Sequence, residues 1–426
     1  MSTIPLLPEE ISRQIFYYAT LTTLALPLSS AHFGPTLAHP FEYTLLQRNA
    51  RALGLATRRN LNQTSRSFHS LVEEFLLEDV TLESIESVNE FAAFISRFKT
   101  GWWVRKLKIR FATQWSGSIV RPAHANGVAR ILASCPRLIV YEDALFSGTG
   151  RIPSEILAGL VVQRSLRAIG WTGETYPSTT DVQTLVEALP DLDTLYLQGC
   201  NPGTRDTHLL PLPSSTPVCI PSLQSLTLRL AEIRGVDILP FLITAHIPSL
   251  THLTLVGTFH FGGNVAANTV ALREFFKIHG PQLQSLDIRD DDRFAPAGPL
   301  VEFLTCCTKL KKIIYPVSWA PPLCTMGKVE TVGLRTVTPD LLSACFESGQ
   351  VAHVALEYLD AHLEVLVDGS LPKLKTIQFL DDEMLGGYPQ LEKFSPHVES
   401  YLTKFHARCA KSGITTVDSL GVSFSF

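Results

Sequence analysis

The chain lacks the features that would assign it to most simple functional classes. No apolar run approaches the roughly 20 residues that a bilayer-spanning helix needs. The longest, around Ile238 to Ile247, is broken by Pro240 and His246. The opening MSTIPLLPEE has no basic lead-in and already carries Glu9 and Glu10, so it does not read as a secretory signal, and a cytoplasmic or nuclear protein is expected. Cysteine is sparse, eight in 426 residues with no C-x-x-C pair, which fits neither a disulfide framework nor a zinc knuckle. The adjacent Cys306 and Cys307 end the apolar stretch LVEFLTCC, where free cysteine packs as a small hydrophobe. Charge of one sign is missing too. The 36 Lys and Arg against 40 Asp and Glu give a formal charge of -4, which leaves no global basic field for nucleic acid or an anionic membrane.

Catalytic signatures are absent as well. The chain has no H-E-x-x-H, no G-x-S-x-G and no phosphate-binding loop: Gly327-Lys328 runs into Val329, and Gly148-Thr149-Gly150 lacks the third glycine of a dinucleotide fingerprint. The acidic runs Asp290-Asp291-Asp292 and Asp381-Asp382-Glu383 each follow a strand-like segment, where sequential acids favour a solvated turn and the start of the next helix over a cation site. No enzyme activity, cofactor or metal is expected.

What the chain does have is a core-rich composition, 45% hydrophobic and 18% charged, and a length beyond one ordinary compact domain unless the architecture repeats. It repeats. LPDLDTLYL (189–197), IPSLQSLTL (220–228), IPSLTHLTL (247–255), GPQLQSLDI (280–288) and LPKLKTIQF (371–379) share one pattern, and weaker copies fill the gaps. Their first apolar positions are Val104, Leu138, Leu166, Leu192, Leu223, Leu250, Leu283, Leu310, Val329, Val351 and Leu374, a mean step of 27 residues. L-x-x-L-x-L at that period is the leucine-rich repeat signature, with a short strand at each head. Helical stripes follow several heads, as in Val182, Leu185, Val186 and Leu189, or Leu272, Phe275 and Phe276, or Leu300, Phe303, Leu304 and Cys307. One strand and one helix cannot bury their own apolar faces, so the units must stack. The expected fold is α/β: short parallel strands alternating with helices over 104–390, then a helical cap over 391–426 with Val398, Tyr401, Leu402, Phe405 and Cys409 on one face.

Residues 1–80 read differently. A helix starts at Pro8, with proline in the first turn and Glu9 and Glu10 near the positive end of the dipole, and a second runs over about 65–77 with Phe68, Leu71, Val72, Phe75 and Leu76 in one stripe. A connecting helical segment over 81–103 joins this region to the repeats. LLPEEISRQIF (6–16) followed by LNQTSRSFHSL (61–71) resembles the two halves of an F-box, the helical module that docks on the Skp-type adaptor of cullin-RING ubiquitin ligases. Leu7, Pro8, Glu10, Ile11, Ile15 and Phe16 match the first half; Leu61, Arg66 and Leu71 match the second, with Phe68 in place of its tryptophan. The chain departs from the family at Thr64 and Ser65, which replace Val-Cys, and in the longer spacing between the halves. The whole is similar to the F-box proteins with C-terminal leucine-rich repeats that are expanded in fungi. The resemblance implies adaptor contacts at Leu7, Pro8, Ile11, Ile15, Phe16, Leu61, Arg66, Phe68 and Leu71. It also implies a cullin as indirect partner.

The repeats then have a target to hold. In such stacks the residues between the apolar strand positions line the concave face, which is the usual ligand surface. Here they supply Lys106, Lys108, Arg110, Arg229, Arg289, Lys312 and Arg335 against Glu142, Asp287 and Glu357, an inner face opposite in sign to the whole chain. Tyr196, Gln198, His252, His353 and Gln378 are the other expected contacts. An acidic or phosphorylated protein segment fits such a surface. Single-stranded nucleic acid does not, because no aromatic ladder for base stacking lines it. The expectation is a non-enzymatic substrate-recognition subunit of a ubiquitin ligase, the alternative being a repeat scaffold whose N-terminal helices are structural only.

Overall fold

The computed structural model describes residues 56, 57, 60, 63, 74–111, 122–145, 152–173, 177–197, 218–229, 238–256, 265–289, 298–317, 319, 327–335, 350–367, 371–380, 396–418, 421 and 423. The chain divides into two units, Met1–Tyr176 with Thr184–Leu192, and Pro177–Gln183 with Asp193–Phe426.

The first unit alternates strand and helix: β1 (Asp79–Leu82), α1 (Ile85–Phe98), β2 (Lys106–Phe111), α2 (Pro122–Ser134), β3 (Val140–Leu145), α3 (Ser154–Val161) and β4 (Ala168–Trp171). Each strand pairs in parallel with the next, Leu107 lying opposite both Val80 and Tyr141. The helix α1 starts on a capping box. Ser84 Oγ accepts from the Ser87 amide and Ser87 Oγ from the Ser84 amide, both at 3.1 Å. Its buried stripe is Val88, Ala92 and Ile95. It ends at Lys99, a non-glycine residue in the left-handed region at φ 55°. The turn that follows passes so close to the end of α2 that a Cβ on Gly101 would sit 2.1 Å from the Ser134 carbonyl oxygen.

A further helix, α4 (Thr179–Ala188), begins on a reciprocal Ser178–Asp181 cap. The second unit continues the alternation with β5 (Thr194–Leu197), β6 (Ser225–Arg229), α5 (Ile238–Thr244), β7 (His252–Val256), α6 (Val265–His279), β8 (Ser285–Arg289), α7 (Gly298–Cys306), β9 (Lys312–Pro316), β10 (Thr331–Arg335), α8 (Gln350–Val367), β11 (Thr376–Phe379), α9 (Pro396–Lys411) and β12 (Thr415–Val417). All neighbours pair in parallel, in sequence order. After β12 the chain makes one antiparallel bridge, Val417 to Ser423.

One backbone contact recurs ahead of each strand pair within a unit. In the second unit the amides of Gln224, Thr251, Gln284, Lys311, Glu330, Lys375 and Thr415 each donate to the carbonyl of the preceding member of that series, starting from Asp193, at 2.8–3.0 Å. In the first, Arg105 donates to Glu78, Ile139 to Arg105 and Arg167 to Ile139 at 2.8–2.9 Å. This series corrects the repeat count. It steps from Glu330 directly to Lys375, so the expected unit at Val351 is not a strand. V-x-x-V-x-L there is the i, i+3 spacing of α8, and His353 lies on that helix. Two strands escaped the sequence reading, β1 and β12.

The core lies where the heads placed it. Leu107, Ile109, Leu195, Leu197, Leu226, Leu228, Leu253, Leu255, Leu286, Ile288, Ile313, Leu334, Ile377 and Phe379 are buried, as are the helical stripes Val182, Leu185, Val186 and Leu189, and Leu272, Phe275 and Phe276. Leu402, Phe405 and Cys409 of α9 are buried too. The sheet departs from a half-solvated one, because the intervening strand positions are also largely covered: every residue of β4 and β9 is buried.

Two outcomes are expected from this packing. Gly101→Ala should destabilise the first unit by about 3 kcal/mol, since the clash is with backbone and the turn must move as a whole, as urea unfolding would show. The second concerns His362 of α8, whose Nε2 lies 2.9 Å from the Val317 carbonyl and whose Nδ1 lies 3.2 Å from the Tyr315 hydroxyl. Burial pushes His362 down to about 4, and His406 likewise to about 4. The unfolded chain takes up these protons below pH about 6.5 while the folded one does not. Stability should therefore fall as pH drops from 6.5 towards 4, by up to about 3 kcal/mol per histidine, and His362→Phe should flatten part of that slope in unfolding curves measured across the range.

Candidate target-binding face

The strand positions between the leucines converge on one face of each unit. In the first unit Lys106 is 2% exposed, Lys108 ion-pairs with Glu142, and Thr172 Oγ1 donates to the same Glu142 oxygen at 3.1 Å. Arg110 is exposed. Lys108 thus stands against a carboxylate on the adjacent strand, and Lys106 is buried, so neither projects as a free basic surface.

In the second unit the organising group is Asp287 on β8. Residues two apart on a strand share a face, and Arg289 closes on Asp287 Oδ2 through Nε at 2.9 Å and Nη2 at 2.8 Å. Arg335 reaches it from β10, two strands away, with Nε 3.1 Å from Oδ1 and Nη2 2.9 Å from Oδ2. Gly333 of β10 lies in register with Asp287, with Ile314 of β9 between them. A side chain at Gly333 would meet Ile314 and Leu380 at 2.8 Å, so the glycine lets these two side chains pack over the strand. Lys312 of β9 completes the group, its Nζ donating to Gln378 Oε1 at 2.6 Å, while Gln378 Nε2 donates to the Asp418 carbonyl at 3.1 Å.

Burial lowers Lys312 to about 7, a shift that Asp287 opposes and Arg335 adds to. Burial, and then the charge of Arg335, likewise pulls Arg289 well below the usual arginine range. A guanidinium does not give up its proton in a protein, so the Asp287 carboxylate offsets the penalty. Two guanidiniums therefore close on one carboxylate, with Lys312 within electrostatic reach of it and 19% of the Arg289 side chain and 25% of the Arg335 side chain exposed.

The expected contact residues of this face are thus largely engaged within the fold. Tyr196 and Gln378 are buried, each 4% exposed; Arg229 and His252 are half-buried. The His252 Nδ1 lies 2.8 Å from the Thr251 hydroxyl, and burial holds its pKa down. Gln198, and all nine expected adaptor contacts from Leu7 to Leu71, lie outside the described residues, as do the acidic runs at 290–292 and 381–383. The structure thus brings Arg289, Lys312, Arg335 and Gln378 together, leaves Lys106, Lys108 and Arg110 as a separate group in the first unit, and moves His353 to a helix. Sequence reasoning counted Asp287 as an opposing charge and missed its role as the shared anchor. The SLDIR spacing of 285–289 already placed Asp287 and Arg289 on one face, but nothing local signals a partner two strands away.

No family model matches the chain, and no curated protein matches it. Among solved structures it is similar to the crystal structure of the leucine-rich repeat-containing protein LegL7 from Legionella pneumophila, with a TM-score of 0.43 and 13% identity over 82% of this chain and 93% of that one. The leucine-rich repeat character of the fold stands on this chain's own strand order, register and backbone series. No helix among the described residues is long and apolar enough to cross a membrane.

Asp287→Asn leaves Arg289 and Arg335 without their common counter-charge and should destabilise the second unit by about 2–4 kcal/mol. The double variant Asp287→Asn/Arg335→Gln should lose at least about 1 kcal/mol less than the sum of the single changes in urea unfolding.

Proposed function

We propose that the chain is a non-enzymatic substrate-recognition subunit of a cullin-RING ubiquitin ligase, with the F-box-like segment recruiting the Skp-type adaptor and the repeats holding a target protein. The observation that carries the proposal is the order of parts: the F-box-like match at Leu7, Pro8, Glu10, Ile11, Ile15 and Phe16 precedes a stack of leucine-rich repeat units. Leu7, Pro8, Ile11, Ile15 and Phe16 are more apolar side chains than a short helical module buries internally. About four of them inserted in a partner groove would contribute roughly 6–12 kcal/mol of gross transfer free energy, comparable with the cost of association.

The Asp287 cluster supports an acidic or phosphorylated target. An incoming carboxylate or phosphate meets two partly exposed guanidiniums already oriented by an internal carboxylate, with Lys312 beside them. Planar N–H edges suit such anions, and an incoming phosphate would compete with Asp287 for the outer donors. Recognition by exchange of an internal anion for an external one keeps the cluster compensated when no target is bound. That makes it compatible with the buried setting.

The test is capture of the full-length chain on immobilised Skp-type adaptor. Leu7→Ala/Pro8→Ala should weaken capture at least about tenfold while the unfolding curve of the repeats stays unchanged. Absence of capture by the parent chain, or loss of repeat stability in step with loss of capture, would favour a scaffold without a ligase role.

A further inference from the structure

The C-terminal half of α1 carries a feature that the target-binding proposal does not use. At about 100° per residue, Phe91, Phe94 and Phe98 fall on one edge of the helix, on the far side from Asn89. The Asn89 side packs on α2, where a Cβ on Gly127 would come within 2.9 Å of Val88 and Asn89. The phenylalanines form a continuous ring contact, with centroids 6.4 Å apart for Phe91–Phe94 and 5.0 Å for Phe94–Phe98. Beyond them the turn held against Ser134 by Gly101 presents Trp102. Phe98 is 54% exposed and Trp102 53%, two large aromatic side chains left half in water four residues apart.

Cations surround them. The Arg97 guanidinium lies 5.1 Å from the Phe98 ring centroid and that of Arg137 lies 4.8 Å from the Trp102 ring, while the exposed Lys99 sits between the two aromatics in sequence. The nearest preceding α1 carboxylate, Glu90, is two turns before Phe98. In a chain of formal charge -4 this is a local reversal of sign. A guanidinium resting on a ring is held by its face and keeps its N–H edge available to carboxylates, while the rest of the ring stays apolar.

We infer that the end of α1 and its following turn form a docking surface for an acidic segment of a partner protein, one that lays an aromatic or aliphatic side chain on Phe98 and Trp102 and sets carboxylates against Arg97, Lys99 and Arg137. Aromatic anchors flanked by arginine are the composition of interface hot spots, and the charge pattern sets the sign of the partner. The surface belongs to the first unit and does not depend on the ubiquitin-ligase proposal.

A random dodecapeptide display library selected on the full-length chain, with counter-selection on Arg97→Glu/Arg137→Glu, tests it. Enriched sequences should carry an aromatic or aliphatic residue flanked by at least two acids. The synthetic peptide of the leading sequence, followed by fluorescence anisotropy, should bind the parent and lose at least about tenfold in affinity on Trp102→Ala, on Phe98→Ser and on the charge reversal. Val162→Ser, at an apolar residue 65% exposed elsewhere in the same unit, should leave the affinity unchanged. Thermal unfolding of each variant at the parent's temperature shows that the loss is local; should Trp102→Ala unfold, Phe98→Ser decides. The inference is overturned by selection of nothing, by sequences without acids, by peptide affinity that the variants leave unaltered, by binding of a twelve-residue oligouridylate in place of the peptide, or by self-association that Trp102→Ala abolishes.

Discussion

The constraint on which the structure depends is the backbone contact ahead of each strand. A repeat of one strand and one helix has no fold of its own, and apolar side chains alone fix neither the direction nor the register of its neighbour. The amide that donates to the equivalent carbonyl of the preceding repeat does both. It sets every pair parallel and aligns the buried positions, so that Leu226 meets Leu253 and Leu253 meets Leu286. Because the contact involves only main chain, it tolerates the uneven repeat lengths between Lys311, Glu330 and Lys375, where the intervening chain changes from a short connection to one that contains α8.

That same alignment explains the polar groups on the inner face. Where an intervening strand position is buried, a lysine or aspartate there enters a setting where an uncompensated charge is costly. The chain answers with compensation along and across strands, Lys108 with Glu142 in one unit, and in the other Asp287 with Arg289 on its own strand and with Arg335 two strands away. The basic count of the inner face is real in the sequence, yet much of it is committed internally. An electrostatic role for that face therefore works through displacement of an existing partner.

Legibility followed the strength of the side-chain pattern. The heads with Pro-x-Leu-x-x-Leu-x-Leu were readable because three large apolar residues alternate within six positions, and each is a strand. Val351, Val354 and Leu356 satisfy the same template, but Leu356 also opens the helical stripe Leu356, Leu359, Leu363 and Leu366, all buried, and the helix won. Leu77, Val80 and Leu82 fit it as well, hidden because Leu76 and Leu77 also extend the stripe of the preceding helical segment. The last strand carries Gly413, Thr416 and Asp418 where leucines belong, so its existence depends on tertiary pairing with β11 that no local signal reports. The Asp287 cluster was half legible, the Asp287–Arg289 pair by its spacing and Arg335 only through topology.

The antiparallel bridge from Val417 to Ser423 has a consequence for the molecule in solution. A stack of parallel strands ends in a row of unpaired amides and carbonyls, a template on which another chain's strand could add in the same direction and extend the array into a fibre. Here the final strand is three residues long, and the chain turns back at Gly421, φ 80°, to place a contact of opposite polarity on that edge. A strand arriving in the parallel sense finds a short edge already engaged at Val417.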